Sequence, residues 1–575
     1  MKQRFQSFIA KRDCRKASPI AVFLIAGVLH VPVIAAAYPF RDTALSIDER
    51  VSDLVSRLSC AEKMAQTGNM APGIPRLAVN PYAYWNEACH GLVANGATVF
   101  PQAIALSATW DTSLIFTIAS AISDEARAFA NSRGSALNFW APTINMARDP
   151  RWGRNEETYG EDVFLTKKMA VNFIKGMQGD NPRYLKTIAT VKHFACNNVE
   201  FNCIGASSNV DERSLREYYL PAFKAAVVDA HVGSVMSAYN ALNGIPCSGN
   251  RLLLTDILRN EWGFKGYVVS DCDAIQYMNT AQHYVATNAQ AAVVGCQAGC
   301  DLNCGETYQN YFPIALQTSL WSFSERFLDT AVKRILRSRF LLGEFDPPGC
   351  VPYTAIPASV VYNSQHRDLS LTAAYKAIVL LKNNGILPLD TTGMHTVAVI
   401  GPNADQCVLG GYSAAALSTI SPLGGIIDKI GGPQGKKVDF VKGCSVSGSL
   451  DQGEFNRAIT AAASADVAIM VMGTDNSLIS EGHDQQSLRL PGVQEELVKA
   501  VYAANSRTIV VLVNGNPLAV GWLQDHVPAI VETWYDGPFQ GKAIADALLG
   551  DYNPGGKLTQ TWVRGDSALP HMNDY

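Results

Sequence analysis

Between residues 136 and 302 the chain alternates short β-rich runs with stretches of helical period. The strand-like runs are residues 136–144, 187–194, 232–239, 267–271 and 299–302. Between them lie DVFLTKKMAVNFIKGM (162–177) and RSLREYYLPAFKAAVVDA (213–230). Short apolar runs without strict polar alternation read as strands buried on both faces, and helix-connected parallel strands bury them that way. About 300 residues of such units suit a (β/α)8-like barrel, whose chemistry sits at the C-terminal strand ends.

Polar residues cluster where these strands end. In GFKGYVVSDCDAI (263–275) an apolar run stops at Asp271. A carboxylate there is placed for chemistry, although an arbitrary Asp at a strand end more often caps the next helix. Lys192 and His193 follow Val191, and Tyr239 and Asn240 follow SVMSA. WNEACHG (85–91) and RDPRWGRNEETYGED (148–162) read as loops. The RDPRWGR segment holds three arginines, a tryptophan and a glycine; arginines beside tryptophan suit recognition of hydroxyls and carboxylates in a cleft.

Residues 343–359, GEFDPPGCVPYTAIPAS, carry the proline and glycine of a linker. The expected division is a catalytic barrel over 38–345, a linker over 346–365 and a second domain over 366–575. That domain opens on a helix (366–377) and continues with strand-like runs at 396–400, 467–472, 508–513 and 529–533. Helical patterns at 492–504 and 541–550 make it a smaller α/β sandwich. Its segment DNSLISEGHDQQSLRLPG (475–492) is long, polar and aperiodic, and such loops are functional or disordered. Glu481 is its candidate carboxylate, and an exposed loop acid is the equal alternative. Near the start, Val51, Leu54, Val55 and Leu58 give one amphipathic helix within 38–66.

A chain of 575 residues exceeds one ordinary core, and 48% hydrophobic with 17% charged residues describes a globular protein. A net charge of −4 argues against a nucleic-acid partner. Six basic residues from Lys2 to Lys16 precede an apolar stretch (20–29) and Ala35-Ala36-Ala37, the pattern of a signal peptide over 1–37. The apolar stretch is short for a membrane span. Export to a periplasmic or extracellular space is expected, with no stable membrane association after cleavage. Six bases and Asp13 leave with the leader, taking the net charge from −4 to −9. Thirteen cysteines leave twelve beyond it, which permits disulfides in an oxidising compartment. Cys296, Cys300 and Cys304 recur every four residues and read as buried small hydrophobes rather than metal ligands. No HExxH or CxxC pattern occurs, so no metal is expected, nor any other cofactor; no N-x-[ST] sequon hints at N-glycosylation.

Seven segments, taken together, carry a family pattern: RDPRWGRNEETYGED (148–162), KHFACNN (192–198), SVMSAYNALNG (234–244), GFKGYVVSDCDAI (263–275), GPNAD (401–405), SEGHD (480–484) and GDYNPGGKL (550–558). The chain resembles glycoside hydrolase family 3. The resemblance implies a barrel and an α/β sandwich with the active site between them, and exo-acting, retaining hydrolysis of β-linked sugars. It makes Asp271 the nucleophile and Glu481 the acid/base. It places Arg154, Lys192, His193, Met236 and Tyr239 against the sugar. A retaining pair must stand about 5–5.5 Å apart, so only the fold brings together residues so distant in sequence. Arg154 and Lys192 are expected to keep Asp271 ionised.

Departures from the family pattern shape the rest. Glu87 stands where glucosidases of the family carry Asp, and Cys272 where a Trp follows the nucleophile. Both are expected to line the sugar site, and both favour a pentose, which lacks the hydroxymethyl group of glucose. A β-xylosidase acting on small β-1,4-xylo-oligosaccharides is therefore expected. A β-glucosidase, a dual xylosidase/arabinosidase and a non-catalytic sugar-binding relative are the alternatives. Asn202-Cys203 lacks the arginine that helps many members bind sugar. Gln485 in EGHDQ, where an arginine is usual, is expected to loosen the acid/base loop. A fibronectin type III-like domain is expected to be absent, because the chain stops at MNDY.

Overall fold

The computed structural model describes residues 38–575; the expected leader, with its cleavage site, lies outside the described residues. The barrel is built on four parallel strands: β1 (Asn138–Phe139), β2 (Ile188–Phe194), β3 (Ser234–Ser237) and β4 (Tyr267–Ser270). They pair in that order, with Asn138 opposite Ile188, Val191 opposite Val235 and Val235 opposite Val268. Every residue of the four is buried, which is why their sequences run apolar without alternation.

Single contacts close the ring. Val269 bridges Leu302, Asn303 bridges Gly68, Tyr84 N–H donates to Asn69 O at 2.8 Å and Trp140 N–H to Asn86 O at 2.8 Å. The barrel is thus less regular than eight equal repeats. The expected strand at 299–302 survives as a bridge, and Met70–Ala71 pairs antiparallel with Tyr82–Ala83. Helices such as Thr112–Arg133 and Val163–Gln178 pack outside, started by Asp111 and Asp162, whose carboxylates accept first-turn N–H groups. The single early helix is two, Ile47–Ser56 and Cys60–Ala65. Ser46 with Glu49, and Ser59 with Glu62, form reciprocal capping boxes that restart the chain.

The second sheet contains β5 (Val379–Asn383), β6 (Thr396–Ile400), β7 (Lys437–Val441), β8 (Val467–Gly473), β9 (Thr508–Val513) and β10 (Ala529–Glu532). Their spatial order is β5-β10-β9-β8-β6-β7, and only β5 runs antiparallel to its neighbour. The period-2 pleat sorts the core into two clusters. Val397, Ile469 and Val511 pack on one face, and Ala398, Met470 and Leu512 on the other. The four inner strands match the apolar runs of the sequence. β5 and β7 were not expected, because edge strands with lysine, asparagine and aspartate carry weaker patterns. No described helix is long and apolar enough to cross a membrane.

Candidate active site

Asp271 leaves the end of β4, its N–H donating to Ser237 O of β3 at 3.1 Å. It caps no helix: Ala274–Thr280 begins after Asp273. Its Oδ1 accepts Cys272 N–H at 2.8 Å, and Oδ2 lies 3.8 Å from His193 Nε2. His193 is fixed by Asn145, which accepts its N–H at 2.6 Å and donates to its carbonyl at 2.9 Å. Burial pushes the Asp271 carboxyl up to about 7, the Arg154 charge opposing and the Glu481 charge adding to the rise. Arg154 and Lys192 both favour the ionised form, as expected, but burial outweighs them. Arg154 spends Nε and Nη2 on the two oxygens of Glu157, at 2.7 Å each, and Lys192 Nζ reaches Glu87 at 3.1 Å.

The second carboxylate arrives from the other domain. Glu481 Oε1 accepts from Arg154 Nη1 at 3.1 Å and Oε2 from the Tyr412 hydroxyl at 3.0 Å, with its side chain 40% exposed. Its loop is stapled to the barrel. Asp484 accepts the N–H groups of Gly153 (2.9 Å), Glu200 (2.9 Å) and Phe201 (2.7 Å), and Gly482 N–H donates to Glu200 Oε2 at 2.9 Å. Gly153 has to be glycine, since a Cβ would lie 2.4 Å from the carbonyl oxygens of both Ser480 and His483. Gln485 does not loosen this loop: it is buried and its N–H donates to Arg151 O at 2.8 Å.

Glu87 closes one side. Its Oε1 accepts from Trp85 Nε1 at 3.3 Å, and burial pushes its carboxyl up to about 6 against the pull of Lys192. Tyr412 lies over Lys192, whose Nζ is 4.4 Å from the ring centroid. Tyr412 follows Gly411, whose N–H donates to Glu156 at 3.0 Å and whose carbonyl accepts from Gln102 at 2.9 Å. Glu87, Trp85 and Tyr412 share a cavity of about 400 Å³ with Phe129 and Phe139. Tyr239 stands on the rim beyond β3; burial and then the Asp271 charge push its hydroxyl upward.

Three expectations change. Cys272 is not a free side chain against the sugar: it is disulfide-bonded to Cys304, itself expected as a plain buried residue. Of the other cysteines, Cys296 and Cys300 are buried thiols. Met236 is buried within the barrel's apolar cluster. In RDPRWGR only Arg154 reaches the carboxylates. Arg148 binds the Asp574 carbonyl, Arg151 binds Asp149, and Trp152 is fully buried with its N–H on Glu200 at 2.8 Å. Sequence reasoning missed Tyr412, Glu157, Glu200 and Asp484. Asp484 in SEGHD and Glu157 in RDPRWGRNEETYGED were visible within motifs; Tyr412 and Glu200 lack a local signal.

The structure thus unites Asp271, Glu481, Glu87, Arg154, Lys192, His193 and Tyr239 at the junction of two domains, and the comparisons agree. Residues 74–338 match the glycosyl hydrolase family 3 N-terminal domain and 378–575 the family 3 C-terminal domain. A β-xylosidase of Formosa agariphila is 38% identical over 553 residues, 91% of this chain and 74% of its own. Probable β-D-xylosidase 7 of Arabidopsis thaliana is 36% identical over 567 residues, 93% of this chain and 73% of its own. Among solved structures, a family 3 exo-β-xylosidase in complex with a xylobiose aziridine probe superimposes with a TM-score of 0.86 at 33% identity, over 91% of this chain and 69% of that one. A β-glucosidase of Erythrobacter marinus gives 0.84 at 30%, over 93% and 80%. This chain belongs to glycoside hydrolase family 3, enzymes that act on O-glycosyl bonds.

Proposed function

We propose that this enzyme is an exo-acting, retaining β-xylosidase that releases xylose from the non-reducing end of β-1,4-xylo-oligosaccharides. Asp271 attacks the anomeric carbon and forms a covalent xylosyl ester. Glu481 protonates the leaving oxygen, then takes a proton from the water that hydrolyses the ester. Asp271 must be ionised to attack. Arg154, which touches Glu481 and whose charge opposes the burial of Asp271, is the cation that favours this form. Lys192, His193, Tyr239 and Glu87 hold the sugar hydroxyls.

The observation that carries the pentose reading is Glu87. Its side chain is 9% exposed and is held at one oxygen by Lys192 and at the other by Trp85, which opposes its swinging aside to admit a hydroxymethyl group. The Cys272–Cys304 bridge stands next to the nucleophile. The relatives named β-xylosidase support the same reading. Export is part of this proposal, since disulfides persist in oxidising compartments. A panel of aryl β-xyloside, β-glucoside, α-arabinofuranoside and β-N-acetylglucosaminide tests it. The xyloside should be turned over with the highest kcat/KM; a preference for the glucoside would reassign the enzyme.

A further inference from the structure

Glu156, on the barrel, is buried where loops of the second domain come down on it. Its Oε1 accepts Gly411 N–H at 3.0 Å and the Asn476 side-chain amide at 2.7 Å. Gly515 closes over its stem, where an added side-chain carbon would come within 2.8 Å of the Glu156 Cβ. Oε2 makes no such bond to the second domain and packs beside Gly410, where an added Cβ would lie 2.7 Å from it. One carboxyl thus ties down two loops of the site. Gly411 precedes Tyr412, whose hydroxyl donates to Glu481 and whose ring covers Lys192. Asn476 anchors the acid/base loop before Glu481, as Gly482 and Asp484 anchor it after.

The cation nearest in sequence, Arg154, is spent on Glu157 and Glu481. The groups facing Glu156 are Glu157 on its own turn, Cys89 and Gln102 of the barrel, and Asn476 and Tyr535 of the second domain. Asp475 adds a negative charge beside Tyr535. His90, whose Nε2 lies 3.1 Å from the Gly411 carbonyl, is kept neutral by burial. Burial, and then the charge of Glu157, push the Glu156 carboxyl up to about 8. The ionised form meets a buried pocket and a like charge, and it gains solvation only where the seated loops part. We propose that Glu156 in its neutral form is the positioning residue that seats both loops on the barrel, so that loss of its proton unseats Tyr412 and Glu481 together. The proposal rests on the xylosidase reading only for the choice of sugar, because unseating is read without substrate.

The test follows hydrogen exchange of residues 406–416 and 475–481, corrected for its intrinsic pH dependence, in wild type, Glu156→Gln and Glu156→Ala. Beside it, kcat/KM is measured on an activated aryl xyloside, whose leaving group needs no acid. In wild type, the protection of both segments and kcat/KM should fall about tenfold between about pH 7 and about pH 9, with the midpoint near 8. Glu156→Gln keeps the shape and the acceptor without the titration. It should match wild type within about twofold at about pH 7 and hold both quantities at about pH 9. Glu156→Ala should lose both throughout. Wild-type protection that stays level over this range overturns the proposal. So does a Glu156→Gln protein that falls with pH as wild type does, or that is already as unprotected as Glu156→Ala at the lower pH. A wild type inactive on the xyloside overturns the xylosidase reading, and the exchange result then decides this proposal by itself.

Discussion

The two carboxylates are held in different ways. Asp271 ends a fully buried strand, is 7% exposed, and owes its position to the register of a parallel sheet. Glu481 rides on an aperiodic loop, keeps 40% of its side chain exposed, and owes its position to Asp484 and Glu200 beneath it. A nucleophile needs fixed geometry and a tuned proton, and a buried strand end supplies both. An acid that must meet leaving groups of many shapes is better placed at a domain junction, where the other wall can vary.

The largest expected effect tests the buried side. Asp271→Asn should cut turnover by several orders of magnitude, measured on an aryl xyloside. It should also raise the thermal midpoint. Asp271 holds its proton more tightly folded than unfolded, so burying the carboxylate costs stability above about pH 7, a cost that fades as pH falls toward the ordinary carboxyl range. The gain should be clear at about pH 8 and small at about pH 5. A mutant less stable at both would mean that the carboxylate supports the barrel.

The next effect tests the exposed side. Glu481→Ala should slow xylobiose by about 10²–10⁴-fold but spare activated aryl xylosides, and azide should restore rate with formation of a β-xylosyl azide. Uniform loss with no azide product would point to another acid. Asp484→Ala sharpens the contrast, because it removes the staple and leaves the acid. Up to about a hundredfold loss on xylobiose is expected, since a misplacement of about 1 Å costs that much. Loss on aryl xylosides as well would show that Asp484 also holds the barrel side.

The smallest effect concerns the sugar wall. Glu87→Asp should shift the xyloside-to-glucoside ratio of kcat/KM toward glucoside by about tenfold, the worth of one methylene of fit. An equal fall on both sugars would mean that Glu87 binds hydroxyls without sensing C5.

The same contrast explains what the sequence could reveal. Asp271, Lys192 and His193 were legible because a buried parallel strand leaves an apolar run, and a polar residue at its end stands out. The inner strands of the second sheet were legible for the same reason, whereas β5 and β7 were not. Glu481 was found through its motif, but its staple was not, because Glu200 and Asp484 meet 284 residues apart. Tyr412 lies in a loop with no pattern, placed by Glu156 and Gln102 of the other domain. The Cys272–Cys304 bridge was hidden because Cys304 keeps a four-residue spacing with two cysteines that remain thiols.

The division of labour between strand end and loop is tested most directly by trapping the covalent intermediate. The enzyme is incubated with an activated 2-deoxy-2-fluoro-β-xyloside, digested, and mapped by mass spectrometry. The expected result is one fluoroxylosyl label on the peptide carrying Asp271, in wild type and in Glu481→Ala alike, and none in Asp271→Asn. A label on any other carboxylate, or on Asp271→Asn, would contradict it.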